Sequence, residues 1–234
     1  MKLHLFSSGT ITAWKHLLVR GAEEGIRISV PVPFYLLEHR NGLFLFDTGQ
    51  QVPAVPLPEN ASFIPVLSDR ERAVNLLQER GIKPGDLSGI ILSHHHSDHI
   101  EGLPDFPGIP RYLRQEELNY SGIRKMTETD GAQWIFPKGE FDLCGDGEIL
   151  LIPTPGHTAG HQSLLLTLDD GQKIMLTADA AYTEDVLHQF PDEKEKNLPF
   201  WNTIQMFRDL AKKGVRIITG HDPNTWNQLK NEFL

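Results

Sequence analysis

The sequence predicts a mixed α/β protein in which short strands alternate with helices along the chain. Short apolar runs bounded by turn-forming residues recur through most of the 234 residues, which is the pattern of buried strands. Between them, apolar residues at helical spacing follow helix-capping signals. No compositional break or low-complexity linker divides the chain, so we expect one domain over residues 1–234.

The first half contains a predicted hairpin, a helix and a buried strand. Asn41 and Gly42 stand between apolar residues 32–37 and 43–46, and such a pair favours a tight β-hairpin. Ser68 and Glu71 have the spacing of a capping box, so a helix is expected from there to Gly81. Residues 89–92 then form an apolar run that predicts a buried strand.

The second half continues the alternation. Residues 149–152, 163–168 and 173–177 predict three strands, the last two joined by a turn at residues 169–171. Apolar residues at helical spacing from Phe200 to Ala211 predict a helix that ends near Gly214. A strand over residues 215–219 follows, and Asp222-Pro223 is a typical helix start.

Composition excludes several classes of function. The formal net charge of -9 argues against a general nucleic-acid binder and against binding to anionic membranes. No apolar run approaches the length needed for membrane insertion. Cys144 is the only cysteine, so no internal disulfide can form, and the first residues lack the apolar core of a signal peptide. We therefore expect a cytoplasmic location.

The densest chemical feature is the segment that follows the predicted strand 89–92. It contains the pattern His-x-His-x-Asp-His, formed by His94, His96, Asp98 and His99. Imidazole and carboxylate together suit borderline metals such as zinc or iron. Three further segments each follow a strand-like run and each offer one more ligand: His157, Asp179 and His221.

The spacing predicts two neighbouring metal ions. Residues two apart in a loop at a sheet edge can point to the same side, so His94 and His96 are expected to bind one ion with His157. Asp98 and His99, at the start of the next helical turn, are expected to bind the second ion with His221. Asp179 would bridge both, whereas His95 points the other way. Two ions about 3.5–4 Å apart can share a hydroxide, the nucleophile of many hydrolases.

The order of these residues resembles the metallo-β-lactamase superfamily, from about residue 30 to residue 225. The segment Asp47-Thr48-Gly49, after an early strand, extends the resemblance. It implies an αββα four-layer sandwich with the metals at one edge of two packed sheets. It also implies that Asp47 orients a metal ligand.

Within that superfamily the chain resembles the N-acyl homoserine lactonases, the quorum-quenching enzymes. Tyr182 stands three residues after Asp179, and the segments 155–163 and 220–223 are also similar. The resemblance implies that a hydroxide shared by the ions opens the lactone ring. Tyr182 would bind the substrate and stabilise the oxyanion, Asp98 would carry a proton to the leaving group, and His161 would at most support a ligand.

The residues are compatible with more than one substrate and metal. Hydrolysis of another lactone, an ester or a thioester, as in glyoxalase II, is the main alternative, followed by a redox diiron protein and a catalytically silent scaffold. The expected cofactors are two divalent ions, with zinc first and iron, cobalt or manganese as alternatives. The expected partner is a small lactone, and homodimerisation, common among similar lactonases, is not decided by the residues. Trp14, Leu17 and Leu18 are candidates to line an acyl pocket.

Overall fold

The computed structural model describes the backbone of residues 1–233 and the side chains of residues 1–230. Sheet 1 has seven strands in the order β4-β1-β2-β3-β5-β6-β7: β1 (Lys2–Trp14), β2 (Arg27–His39), β3 (Gly42–Phe46), β4 (Phe63–Val66), β5 (Leu87–Ile91), β6 (Arg111–Tyr112) and β7 (Trp134–Ile135). Sheet 2 has five strands in the order β12-β11-β10-β9-β8: β8 (Phe141–Asp142), β9 (Ile149–Pro153), β10 (Gln162–Thr167), β11 (Lys173–Leu176) and β12 (Arg216–Ile218). The helices are α1 (Lys15–Leu18), α2 (Ala73–Glu79), α3 (Ser97–Ile100), α4 (Ser121–Thr129), α5 (Pro199–Lys212) and α6 (Pro223–Phe233).

The main hydrophobic core lies between the two sheets. Alternate side chains of sheet 1, such as Leu37 and Phe46, meet alternate side chains of sheet 2, such as Leu151, Leu164 and Leu176, and all are buried. This alternation is what a sheet with one face on a core requires. The expected strands therefore owe their stability to packing across the sandwich as much as to their own pairing.

Helices cover the outer faces of both sheets. Leu77 of α2 and Ile123 of α4 pack on the outer side of sheet 1, and Ile204 and Phe207 of α5 pack on sheet 2. The layers therefore run helix, sheet, sheet, helix, which confirms the expected four-layer α/β sandwich. No helix in the described part of the chain is both long and apolar enough to cross a membrane.

The sequence-based expectation missed several short elements, among them α4, and two larger differences have a physical reason. The long strand β1 was not expected, because a bulge between Ser7 and Thr10 interrupts its alternation of buried and exposed residues. The capping box of Ser68 and Glu71 is present, but it begins a separate 3₁₀ turn. Arg72 then has an extended backbone, and α2 starts only after it.

Candidate metal centre

Five polar segments meet at one edge of the sandwich. They follow β3, β5, β11 and β12, or connect β9 to β10. Because β3 is parallel to β5 and β11 is parallel to β12, the carboxyl ends of each pair lie at the same edge of their sheet. The packing of the two sheets then brings residues that are far apart in sequence into one cluster.

The first group of ligand-type side chains consists of His94, His96, His157 and Asp179, whose donor atoms lie within 4.8 Å of one another. Nε2 of His157 is 3.1 Å from Nε2 of His94 and 2.8 Å from Nδ1 of His96. Oδ2 of Asp179 is 3.2 Å from the same His157 nitrogen. His94 and Asp179 are buried, whereas His96 and His157 are half-buried.

The second group consists of Asp98, His99 and His221. Oδ1 of Asp179 lies 3.1 Å from Nε2 of His99 and 3.0 Å from Nε2 of His221. Oδ2 of Asp98 lies 3.4 Å and 3.5 Å from the same two nitrogens. Asp179 therefore turns one oxygen toward each group, which is the geometry that a bridging carboxylate needs.

The hydrogen bonds around the cluster show that these residues fit metal ions. Nδ1 of His99 lies 2.7 Å from Oδ2 of Asp47, and Nδ1 of His221 lies 2.7 Å from the carbonyl of Pro31, so each donates its proton outward. In the neutral rings, both Nε2 lone pairs then face Oδ1 of Asp179. Nε2 of His99 is buried without a hydrogen-bond partner. A divalent cation satisfies all of these acceptors at once, and a nitrogen and oxygen donor set suits zinc-like ions.

Electrostatics differs between the two groups. Burial lowers the pKa of His94 well below its ordinary value and lowers that of His157 to about 4, which favours the neutral, ligand form of both rings. Burial is the largest single influence on His99 and His221 and acts to lower the pKa of each, but the nearby carboxylates, Asp179 and Asp98 among them, together outweigh it and raise the pKa of both. A cation bound to the second group would take the place of those protons.

Asp47 holds the loop that carries the first histidines. Its Oδ1 accepts a hydrogen bond from the backbone of Ser93 at 2.7 Å, and its Oδ2 accepts from Ser93 Oγ at 2.8 Å as well as from His99. Asp47 has a φ of 63°, and Ala178, which precedes Asp179, has a φ of 45°. In the described backbone these are the two non-glycine residues with positive φ, and both lie beside the cluster, where strained backbone often marks function.

Tyr182 and His161 lie just outside the two groups. The Tyr182 hydroxyl is 3.2 Å from Nδ1 of His157, the nitrogen opposite the cluster. Nδ1 of His161 is 2.7 Å from Oγ1 of Thr154, and its ring lies 5.1 Å from that of His94. The structure thus brings all the sequence-predicted site residues to one edge, with Tyr182 and His161 beside the ligand-type side chains.

Sequence reasoning missed one residue beside the site, Glu117. It lies in a 3₁₀ turn, Gln115–Asn119, and is buried. It is hydrogen-bonded to His95, whose ring is stacked at 4.5 Å on Tyr120. His95 belongs to neither group of ligand-type side chains in the described residues. Nothing in the local sequence around Glu117 distinguishes it from its exposed neighbour Glu116.

A cavity of about 790 Å³ opens onto the cluster. Asp98, Asp179, Tyr182 and His221 form its polar floor, and its walls are mainly apolar, from Ile11, Leu18, Val30, Val52, Leu57 and Phe63. Of the three residues expected in an acyl pocket, only Leu18 lines this cavity. Leu17 lines a smaller neighbouring cavity of about 340 Å³, and Trp14 lies 4.0 Å from the guanidinium of Arg27.

The fold and this cluster define a class of protein. The family model of the metallo-beta-lactamase superfamily matches residues 29–221, and the chain belongs to that superfamily. The N-acyl homoserine lactonase AttM of Rhizobium radiobacter is 30% identical, over 98% of this chain and 96% of the relative. The N-acyl homoserine lactonase AiiA of Bacillus thuringiensis subsp. kurstaki is 33% identical, over 85% of this chain and 84% of the relative.

Solved structures agree with these relatives. A structure of an N-acyl homoserine lactone hydrolase, with the product N-hexanoyl-L-homoserine bound at its catalytic metal centre, superposes with a TM-score of 0.81 at 26% identity. The match covers 97% of this chain and 95% of the other.

Proposed function

We propose that this protein is a metal-dependent N-acyl homoserine lactonase that hydrolyses the ester bond of the lactone ring. The observation that carries the proposal is the position of Asp179 between two histidine-rich groups, at the polar floor of a cavity with apolar walls. A lactone ring fits a polar floor, and an acyl tail fits apolar walls. The lactonase relatives described above support the same substrate class.

We further propose that the two groups hold two divalent ions, with zinc as the first expectation. His94, His96 and His157 would hold one, Asp98, His99 and His221 the other, and Asp179 both. Such ions supply a Lewis acid for the carbonyl and lower the pKa of a water molecule. Zinc as the native metal, a cytoplasmic location and a homodimer stay predictions, to be checked by metal analysis, fractionation and solution mass.

We propose that Tyr182 stabilises the negative charge that develops on the carbonyl oxygen. Burial raises the pKa of Tyr182, and the charges of Asp179 and Asp98 raise it further, so its hydroxyl keeps its proton. With Nε2 of His157 as the metal ligand, the ring proton lies on Nδ1, which is 3.2 Å from the Tyr182 oxygen and donates to it. Its own proton is therefore free to be donated to the substrate.

We propose that Asp98 transfers a proton from the nucleophile to the leaving group. Its carboxylate lines the cavity and remains 16% exposed, whereas Asp179 is 4% exposed. A partly accessible carboxylate beside the reacting atoms can accept a proton from the nucleophile and return it to the departing alkoxide. The reaction would release an open-chain N-acyl homoserine.

The lining of the cavity disfavours the main alternative, a glutathione thioester. That substrate carries free carboxylates, which usually require lysine or arginine partners. No lysine or arginine is among the described residues that line the large cavity. Other lactones and simple esters also lack free carboxylates, so the cavity lining does not disfavour them. They are therefore assayed beside the homoserine lactones.

The experiment is hydrolysis of hexanoyl and decanoyl homoserine lactones by zinc-loaded protein, followed as acid release, with a Tyr182→Phe variant. We expect turnover by the wild type and a decrease in kcat of about 10²–10³-fold in the variant, the usual effect of losing one oxyanion donor. Tyr112→Phe is the matched control, because that tyrosine packs against Phe141 and does not line the cavity.

Two results would contradict the proposal. Failure of the fully loaded protein to hydrolyse either lactone, with activity on simple esters or thioesters, would reject the substrate class. A Tyr182→Phe variant as active as the control would reject the role of the hydroxyl.

A further inference from the structure

Glu117 joins the two loops that carry the first group of histidines. Its Oε2 accepts hydrogen bonds from the backbone N–H of His95, at 3.0 Å, and from Nδ1 of the same residue. Its Oε1 accepts from the backbone N–H of Gly160 at 2.8 Å. The side chain is 1% exposed, so these bonds form in a medium of low dielectric constant, where a charged acceptor binds strongly.

The two backbone N–H groups that Glu117 binds, those of His95 and Gly160, belong to the loops that carry the first group of histidines. His95 lies between His94 and His96, in the loop after β5 of sheet 1. Gly160 lies three residues after His157, in the loop between β9 and β10 of sheet 2. One carboxylate therefore connects the loop that carries His94 and His96 to the loop that carries His157.

The identity of residue 160 agrees with this contact. A Cβ atom at Gly160 would lie 2.8 Å from both Cγ and Oε1 of Glu117, and 2.9 Å from its backbone nitrogen. Only glycine allows the amide to come this close to the carboxylate. The loop is thus built around Glu117, with no room for any other side chain.

Glu117 itself is attached to a rigid support. Its backbone N–H donates to the carbonyl of Arg114 at 3.1 Å. Arg114 is buried, and its guanidinium donates to the carbonyls of Gly139 at 2.6 Å and Leu151 at 3.0 Å, the latter in β9. The hydrogen bonds of Arg114 therefore attach the turn that carries Glu117 to sheet 2, independently of the contacts between Glu117 and the two loops.

We propose that Glu117 is a positioning residue that fixes the two loops relative to each other and so prearranges His94, His96 and His157 for the first metal ion. The inference rests on the proposed metal centre but not on the proposed substrate. Removing the carboxylate leaves buried N–H groups without acceptors, and the loops then separate to reach water or other partners. The first ion loses affinity, because residues that orient ligands commonly contribute 10- to 100-fold to metal binding.

The test is metal binding by Glu117→Gln, with Glu116→Gln as the matched control on the same turn. Glutamine keeps the shape but turns one acceptor oxygen into an N–H₂ group that faces another N–H donor. Metal-free protein is titrated with Co²⁺ against a competing chelator, and the visible absorption of bound cobalt reports ligand geometry. We expect about 10- to 100-fold weaker binding of one of the two ions and an altered spectrum for Glu117→Gln, with no change for Glu116→Gln.

Two further variants separate positioning from general stability. In Gly160→Ala the added methyl group would clash with the Glu117 side chain and disturb its hydrogen bond to residue 160. This variant should therefore change the cobalt spectrum in the same way. His95→Phe keeps the backbone N–H and should weaken binding less than Glu117→Gln. If Glu117→Gln fails to fold, Gly160→Ala decides the matter. Unchanged affinity and spectrum in the folded variant would overturn the proposal.

The outcomes also distinguish this proposal from the lactonase assignment. Cobalt binding needs no substrate, so a protein inactive on lactones can still confirm the role of Glu117. A wild-type protein that binds no cobalt would instead overturn the metal centre, and with it both proposals.

Discussion

Substitution of Asp47 by asparagine tests whether Asp47 decides which ring nitrogen of His99 carries the proton and which is left for the expected metal ion. Asp47 accepts the Nδ1 proton of His99 at 2.7 Å, which leaves Nε2 free to face Asp179 and Asp98. In Asp47→Asn an N–H₂ group can occupy the position of Oδ2. Because that N–H₂ group needs an acceptor, it favours the tautomer of His99 with the proton on Nε2, the nitrogen that would bind the metal.

The expected magnitude follows from the contacts. Loss of an acceptor that orients a ligand histidine costs about 10- to 100-fold in metal affinity, or about 1.4–2.7 kcal/mol. Asparagine tolerates the φ of 63° at this position, so backbone strain contributes little. The introduced asparagine would still accept the Ser93 amide through its own oxygen, so the loop would keep that anchor.

The assay is a chelator competition for zinc, combined with thermal unfolding of the metal-free protein. We expect weaker binding of the ion held by Asp98, His99 and His221, with little change in the metal-free melting temperature. Asp185→Asn, at an exposed position, is the control. Wild-type zinc affinity at both sites in folded Asp47→Asn would refute the reasoning.

Three further predictions concern metal removal, the core and the cavity. Chelation should lower the melting temperature by about 10–20 °C relative to protein with both expected ions held at 100 times their Kd, measured by calorimetry. Phe34→Ala removes a fully buried ring stacked at 5.1 Å on Phe6 and should lower the free energy of unfolding by about 3–5 kcal/mol in denaturant titrations. Val55→Ala, at a side chain 72% exposed, should change it by less than about 0.5 kcal/mol. Phe63→Ala should raise KM up to about tenfold for a decanoyl lactone and less for a butanoyl lactone, in steady-state kinetics; equal changes would place the acyl chain elsewhere.

The sequence predicted correctly those elements whose conformation depends on residues adjacent in the chain. The hairpin at Asn41-Gly42 and helix α5 were predicted to within a few residues, because turn conformation and helical periodicity depend on adjacent side chains. Strand β1 was not predicted, because its bulge disrupts the local pattern while its pairing with β2 stabilises it from outside. The domain bounds 1–234 stay a prediction.

The same distinction holds at the site. The spacing of His94, His96, Asp98 and His99 is local, so the sequence by itself was enough to predict a cluster of ligand-type side chains in this loop. The family resemblance supplied the orienting role for Asp47, and the structure connects it to His99.

Only the tertiary structure decided how distant segments meet. It placed the two oxygens of Asp179 toward different histidine groups and positioned Glu117 between His95 and Gly160. It also showed that Leu18, and not Trp14 or Leu17, lines the large cavity. Such contacts join residues tens of positions apart, and they depend on how two sheets pack, which no local pattern of residues records.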